Sequence, residues 1–436
     1  MMSSFPNTSS APSVPKPGDV QVTRFDLNGQ TVLDPLNGIS GFEFSIREDI
    51  LSPFLTGSVL FTDTQDSFRN YKMTGNDQLD VEWISNQKIF PKKSAFSGII
   101  RGYSDYSILR EGQHVYRGNF CSADAWNDSV NRISRSFTGT PSIIAGQVFD
   151  QELQSPYSLT VEETQPGQIH NFISPYWTAS EILGYMAGHS VGKSGSVGYR
   201  FFQTINDGYF FCSPKYLKDK NRTHTVKRIK YSLNNIVMPG KTSIYDNYVA
   251  DLEIAENIGI LQLLPSLDAM ESGMFGVQLN TYDITRKKFE SRDITNYKQV
   301  MGDNTQGFIN ADQGELNDPT QMLQPRFLLG QQFLNSAYDT KDAAFRWADQ
   351  SRYQREISDQ HFKSVRLQAV IYGSSDMTVG DVLEFYMPVP NNQGQAASNS
   401  QFHQYISGKW IVTSCSHVFR GSRFYTNNIT MMKDAW

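Results

Sequence analysis

The stretch DQLDVEW (77–83) sets Leu79, Val81 and Trp83 on one face of an extended chain and Asp80 and Glu82 on the other. A period of two fits a strand with one buried face and does not fit a helix, whose side chains return every 3.6 residues. Period-two patterning dominates the chain. It recurs in TGSVLFTD (56–63), with Val59–Phe61 as strand core, in AFSGIIRGYSDYSIL (95–109) and in HVYRGNFCSADAW (114–126). Residues 21–125 therefore predict a small antiparallel barrel or sandwich. The 28 Phe, 21 Tyr and 6 Trp agree, because aromatic side chains favour strands.

The pattern then changes to a helical period. In TPSIIAGQVFDQEL (140–153) Thr140 is placed to cap a helix and Pro141 to occupy its first position, where a missing N–H costs nothing. In YWTASEILGYMAGH (176–189) Thr178 and Glu181 form a capping box, and Ile182, Tyr185, Met186 and His189 share one stripe. A strand-like stretch, GYRFFQTINDGYFFCSPKYL (198–217), follows with NDG as its tight turn. Residues 126–225 read as a helix-bearing α/β domain.

Strands resume at HTVKRIKYSLNNIV (224–237) and NYVADLEIAENIG (247–259). The polar segment 302–326 reads as an extended loop, and TKDAAFRWADQSRYQREISDQHF (340–362) as a helix. From Val365 onward Val365, Leu367, Ala369 and Ile371 alternate, then Leu383, Phe385 and Met387. Trp410 and Val412 face opposite Ile411 and Thr413, and RFYTNNITMM (423–432) closes the set. MTVGDVLEF (377–385) reads as strand, turn, strand, and NNQGQAASNSQ (391–401) as a flexible loop. No repeat of fixed short period is present.

At 436 residues the chain has room for two to four domains. A net charge of −5 excludes an overall electrostatic footprint for nucleic acid. Cys121, Cys212 and Cys415 lie too far apart for a zinc knuckle or a disulfide framework and point to folding in a reducing cytosol. The first twenty residues lack a basic start and an apolar run, so they read as a flexible Ser/Pro arm rather than a signal peptide. No apolar run is long enough to cross a membrane.

The motifs that carry chemistry are few. AGHSVGKS (187–194) matches a relaxed phosphate-loop pattern with Gly192, Lys193 and Ser194 in the binding places. A working phosphate loop follows a strand and opens a helix, whereas here a helix ends near His189 and a strand begins near Val197. The match is expected to be inert. None of the histidines at 114, 170, 189, 224, 361, 403 and 417 has metal-ligand spacing, and His189 reads as a core histidine. Cys415 and His417 share a strand face without a third catalytic group. The basic run KYLKDKNRTHTVKRIK (215–230) reads as a solvated hairpin, with contact to an acidic partner or to passing DNA as the functional alternative. No catalytic, cofactor-binding or metal-ligating residue is assigned, and no cofactor is expected.

Four blocks, in order along nearly the whole chain, resemble the central hub protein of the baseplate in contractile-tailed bacteriophages. They are FLTGSVLFTDTQDSFRNYKMTGNDQLDVEW (54–83), residues 173–217 with the S-E helix and the GYFF hairpin, residues 247–289 with YDITRK, and VIYGSSDMTVGDVLEFYMPVP running to the end (370–436). The resemblance implies a mainly β chain with an α+β insertion: two tail-tube-like antiparallel β-barrels and an intervening helix-bearing domain. Mapped here, 1–20 is the arm and 21–125 the first barrel. Residues 126–225 and 259–350 form the intervening domain, and 226–258 with 351–436 the second barrel. It further implies a homotrimer in the virion tail baseplate, made in the host bacterial cytoplasm, that joins a six-fold tail tube to a three-fold central spike. Its partners would be the tail tube protein or tube initiator, the central spike protein, baseplate wedge proteins and the tape measure protein, with DNA passing through the channel without specific binding. A tail-associated cell-wall hydrolase and a host-glycan-binding β module are the rival readings.

Overall fold

A computed structural model describes residues 18–31, 39–63, 73–87, 90–110, 113–221, 227–231, 254–263, 277–283, 287–294, 324–329, 355, 359, 365–387, 406–421 and 424–433. The first strands are β1 (Val20–Leu27), β2 (Gln30–Thr31), β3 (Ile39–Asp49), β4 (Thr56–Asp63), β5 (Asp77–Gln87), β6 (Phe90–Arg110) and β7 (Gln113–Ser122). The alternation read from 77–83 holds: Leu79, Val81 and Trp83 are buried. The strand read through Trp126 stops earlier, because helix α1 (Ala123–Val130) begins directly after β7. Ser122 stands at its N-cap with Asp124 in the first turn, a charge that suits the positive end of the helix dipole.

Next come β8 (Ser136–Gly139), α2 (Pro141–Val148) with a π-helical extension over Phe149–Leu153, β9 (Leu159–Val161), β10 (His170–Ile173), α3 (Ala179–His189), β11 (Arg200–Thr204) and β12 (Gly208–Cys212). Pro141 opens α2 as expected, but the Thr140 side chain makes no capping bond there and pairs with Ser142 instead. On α3 both bonds of the Thr178–Glu181 box are present, and Asp128 Oδ1 accepts from the Ser180 amide at 3.0 Å. Thr178→Ala is expected to cost about 1 kcal/mol in a urea titration. PKYL, read as strand, instead opens α4 (Pro214–Asn221). Pro214 takes the first helical position, and the Ser213 hydroxyl accepts from the Tyr216 amide at 3.2 Å, a hydroxyl-then-proline start like that at Thr140–Pro141.

The remaining strands are β13 (Lys227–Tyr231), β14 (Ile254–Leu263), β15 (Val277–Asp283), β16 (Lys288–Ile294), β17 (Gln324–Leu329), β18 (Val365–Tyr372), β19 (Val382–Tyr386), β20 (Gly408–Arg420) and β21 (Phe424–Lys433). The hairpin reading of 215–230 is corrected, since α4 occupies its start and β13 runs parallel to both β14 and β19. MTVGDVLEF is not strand, turn, strand: β18 ends at Tyr372, residues 373–381 form a loop, and β18 and β19 pair with other strands. Leu383 and Phe385 do pack a core, with Met387 against it. The loops read at 302–326 and 391–401 lie outside the described residues, apart from Gln324–Arg326 in β17. The helix read at 340–362 also lies outside them, except helical Arg355 and Asp359.

The protein is mainly antiparallel β with a helix-bearing insertion. One 13-stranded sheet carries most strands, and it closes on itself twice. Strands β19, β13, β14, β18, β21 and β20 form one ring, sealed by the β19–β20 pairing. Strands β21, β20, β3, β4, β7, β6, β5 and β1 form the other, sealed where Asp19 bridges Phe424 and the Tyr425 amide donates to Gly18 O at 2.9 Å. The β20–β21 hairpin belongs to both rings. Trp410, Val412, Cys415, Ile429 and Met431 point into the first core, and Phe419 and Tyr425 into the second. A third core gathers α2, α3, β11 and β12, and reaches the β3–β4 connection through Phe54, which packs on Phe201 and Tyr209.

Candidate functional site at the joint between the rings

The period-two face of β3 that carries Phe44 and Ile46 continues to Glu48, so the carboxylate is carried inward and is 0% exposed. An isolated buried carboxylate is strongly unfavourable, and here it is held from three directions. Ile205 N, in the β11–β12 turn, donates to Oε1 at 2.9 Å. Thr378 Oγ1 and Val379 N, in the 373–381 loop, donate to Oε2 at 2.6 and 2.9 Å. His417 Nε2 stands 3.6 Å from Oε1 on the remaining side. Burial pushes the Glu48 carboxyl up, but His417 and the donors from Thr378 and Val379 outweigh it and hold the group below its ordinary value.

The loop 373–381 is bonded on every side. Ser375 Oγ accepts from Trp83 Nε1 at 3.1 Å and meets Ser85 Oγ at 2.7 Å, both on β5. Asn206 Nδ2 donates to Ser375 O at 2.6 Å from the helix-bearing part. Gly380 N donates to Val412 O, and Val412 N to Asp381 O, both at 2.9 Å, which ties the loop to β20. Gly380 has a φ of +91°, a conformation glycine adopts without strain. Glu48, Ser375 and Thr378 thus fasten the two rings and the helix-bearing part at one point.

His417 and Cys415 are brought together, with Sγ 3.6 Å from Nε2. His417 Nδ1 is 2.6 Å from the Tyr425 hydroxyl, whose phenol is pushed well above its ordinary value by burial and then by Cys415. In a Cys–His nucleophile pair the orienting acid sits on the ring nitrogen opposite the thiol. Here Glu48 shares the thiol's side and the whole group is closed to solvent. The arrangement fastens; it offers a substrate no approach.

Lys193 of the phosphate-loop match pairs with Glu163 in an exposed salt bridge. The order is helix, loop, strand, with α3 ending at His189 and β11 starting at Arg200, so the glycine-rich stretch leaves a helix and does not open one. His189 Nδ1 meets Tyr185 O at 2.8 Å within α3, as a packed histidine does. His170, with its ring centroid 6.3 Å from that of His189, is pushed down to about 4 by burial. His224, His361 and His403 lie outside the described residues. Among the described residues no group of three or more His, Cys, Asp or Glu is placed to hold a metal. Cys121, Cys212 and Cys415 are buried thiols, and burial pushes the Cys121 thiol up. Native protein is expected to leave all three unmodified by an aromatic disulfide reagent over minutes, and unfolded protein to titrate three; rapid labelling of the native chain would contradict this packing.

No protein-family model matches the sequence, and no curated protein matches it. Solved structures do match in fold. The tail protein from Neisseria meningitidis MC58 aligns at a TM-score of 0.54 and 9% identity, covering 95% of this chain and 97% of that one. The 43 kDa tail protein of prophage MuSo2 from Shewanella oneidensis aligns at 0.53 and 9% identity, covering 95% and 100%. The chain has the fold of phage tail proteins over nearly its full length.

Proposed function

We propose that this chain is a structural, non-enzymatic component of a phage-type contractile tail, the hub of its baseplate. The observation that carries the reading is the pair of closed strand rings in one chain, joined through a shared β20–β21 hairpin. Three copies around an axis present six such rings, which matches a six-fold tube on one side and a three-fold spike on the other. In this reading 21–125 forms the first barrel, completed by the shared β20–β21 hairpin and sealed by Gly18 and Asp19, which the sequence reading places in the arm. Residues 226–258 with 351–436 form the second, and 126–225 with 259–350 the part between them. The fastened joint at Glu48 holds the two barrels of each copy in one orientation, which a ring that must stay open for DNA requires. Tube protein or tube initiator, central spike, wedge proteins and tape measure protein are its partners in the virion. The test is the structure of the assembled tail: three copies of this chain on the tail axis are expected, and any other copy number, or a position off the axis, would overturn the reading.

A further inference from the structure

Among the described residues each ring has a stretch of strand edge with no strand paired to it. β5 covers β6 only from Phe90 to Ile100. From Gly102 to Arg110, among the described residues, the only strand paired with β6 is β7, while the Tyr103 hydroxyl donates to Asp77 on β5 at 2.8 Å. In the other ring β13 covers β14 only at Ile254 and Ala255. From Asn257 to Leu263, among the described residues, β14 is bonded by β18 alone. Both stretches expose large apolar side chains: Tyr106 at 60% and Ile108 at 64% on the first, Ile260 at 48% and Leu261 at 51% on the second. Unpaired N–H and C=O groups beside exposed apolar residues are a liability that chains blunt or cover.

Both stretches also carry an interior glycine with open space where a Cβ would stand, Gly102 and Gly259. A glycine inside a strand weakens it, and it recurs at bulges or where another backbone approaches closely. Gly102 adjoins a bulge on β6. Gly259 pairs with Gln368 just ahead of the register shift between Ile260 and Gln262, and both glycines leave room for a second backbone to approach. The two edges are unlike and lie on different rings of one chain. Unlike edges that join head to tail make a heterologous contact, which closes into a ring when the rotation allows.

We infer that the open edge of β6 in one copy adds to the open edge of β14 in the next, by main-chain pairing across the subunit boundary. The partner is a second copy of this chain, and the inference rests on the ring reading proposed above. It deepens that reading by naming the segments that meet.

The test uses the full chain, whose own three cysteines are buried. Ile108→Cys and Leu261→Cys chains are prepared separately, and Tyr106→Cys with Ile260→Cys as a second pair offset in register. Each is treated with a short bismaleimide at a concentration where sedimentation shows the oligomer. Mixing a β6 variant with a β14 variant is expected to give a cross-linked dimer that neither variant gives alone. A double variant in one chain is expected to link up to the closed ring and no further. An oligomer of three copies that links in none of the four pairings would overturn the edge pairing and leave the hub reading standing. Linking of a single variant with itself would make the contact isologous and equally overturn it. A chain that remains monomeric alone and with its tube partner would sink both.

Discussion

Glu48→Ala is expected to lower the unfolding free energy by about 2–6 kcal/mol, the cost of leaving two buried amides without their acceptor. The magnitude follows from what the side chain satisfies. Ile205 N, Thr378 Oγ1 and Val379 N all donate to it, and each buried donor left without an acceptor costs about 1–3 kcal/mol. The Thr378 hydroxyl can turn to another acceptor, whereas the two amides are fixed by the backbone, so the full sum is not reached. Urea unfolding followed by tryptophan emission measures this, because Trp83 and Trp410 lie in the two ring cores. A loss below about 1 kcal/mol, the size of a single ordinary hydrogen bond, would mean that Glu48 is not the fastening group.

The same carboxylate sets a pH signature. Its folded value lies below the ordinary 4.5, and a group with a lowered folded pKa contributes stability above its unfolded pKa. That contribution is lost as pH falls through the folded value, so the wild type should weaken progressively below about pH 4.5. Glu48→Gln carries no such proton and should show a shallower slope over that window in the same denaturation series. Equal slopes in the two proteins would remove the carboxylate from the joint's energetics.

The strands were legible because most have one face in a core, which writes itself as alternation in stretches such as Leu79–Val81–Trp83 and Val365–Leu367–Ala369–Ile371. Where both faces are covered, as at Trp410, Ile411, Val412 and Thr413, all buried, alternation no longer tells inside from outside. The sharing of β20 and β21 between two rings was for that reason not readable. Two helices starting at Ala123 and Pro214 were read as strand because apolar and aromatic residues in short runs satisfy either period. The signal that separates them is a serine directly before each helix, Ser122 and Ser213, although only the Ser213 hydroxyl bonds into its helix. Glu48 itself carries a sequence signal. Phe44 and Ile46 set an inward face, and the next residue on it is a carboxylate. Such a residue belongs either to a strand end in water or to a buried network, and only the distant Ile205, Thr378 and His417 decide which.

Gly373→Ala is expected to cost about 3 kcal/mol, the upper end of what overpacking a filled core costs. A Cβ at this position would lie 2.1 Å from Tyr425 Cγ and Cδ1, far inside van der Waals contact. Neither side can yield easily. The Gly373 amide donates to Tyr425 O at 2.8 Å, which fixes the two backbones. The Tyr425 ring lies flat on Phe419 at 4.4 Å between centroids, and its hydroxyl is engaged with His417 at 2.6 Å. A displaced ring would therefore also disturb His417 beside Glu48, so the substitution should weaken the joint as well as the core. A double-mutant cycle separates the ring clash from backbone strain. Tyr425→Ala alone is expected to cost about 3–5 kcal/mol as a large aromatic core deletion. Added to it, Gly373→Ala should cost at least 1 kcal/mol less than it does in the wild type, since the ring it strikes is gone and contacting residues couple by about 0.5–3 kcal/mol. Strict additivity of the two losses would show that the glycine answers a demand of the backbone after Tyr372 and not the packing of Tyr425 against the joint.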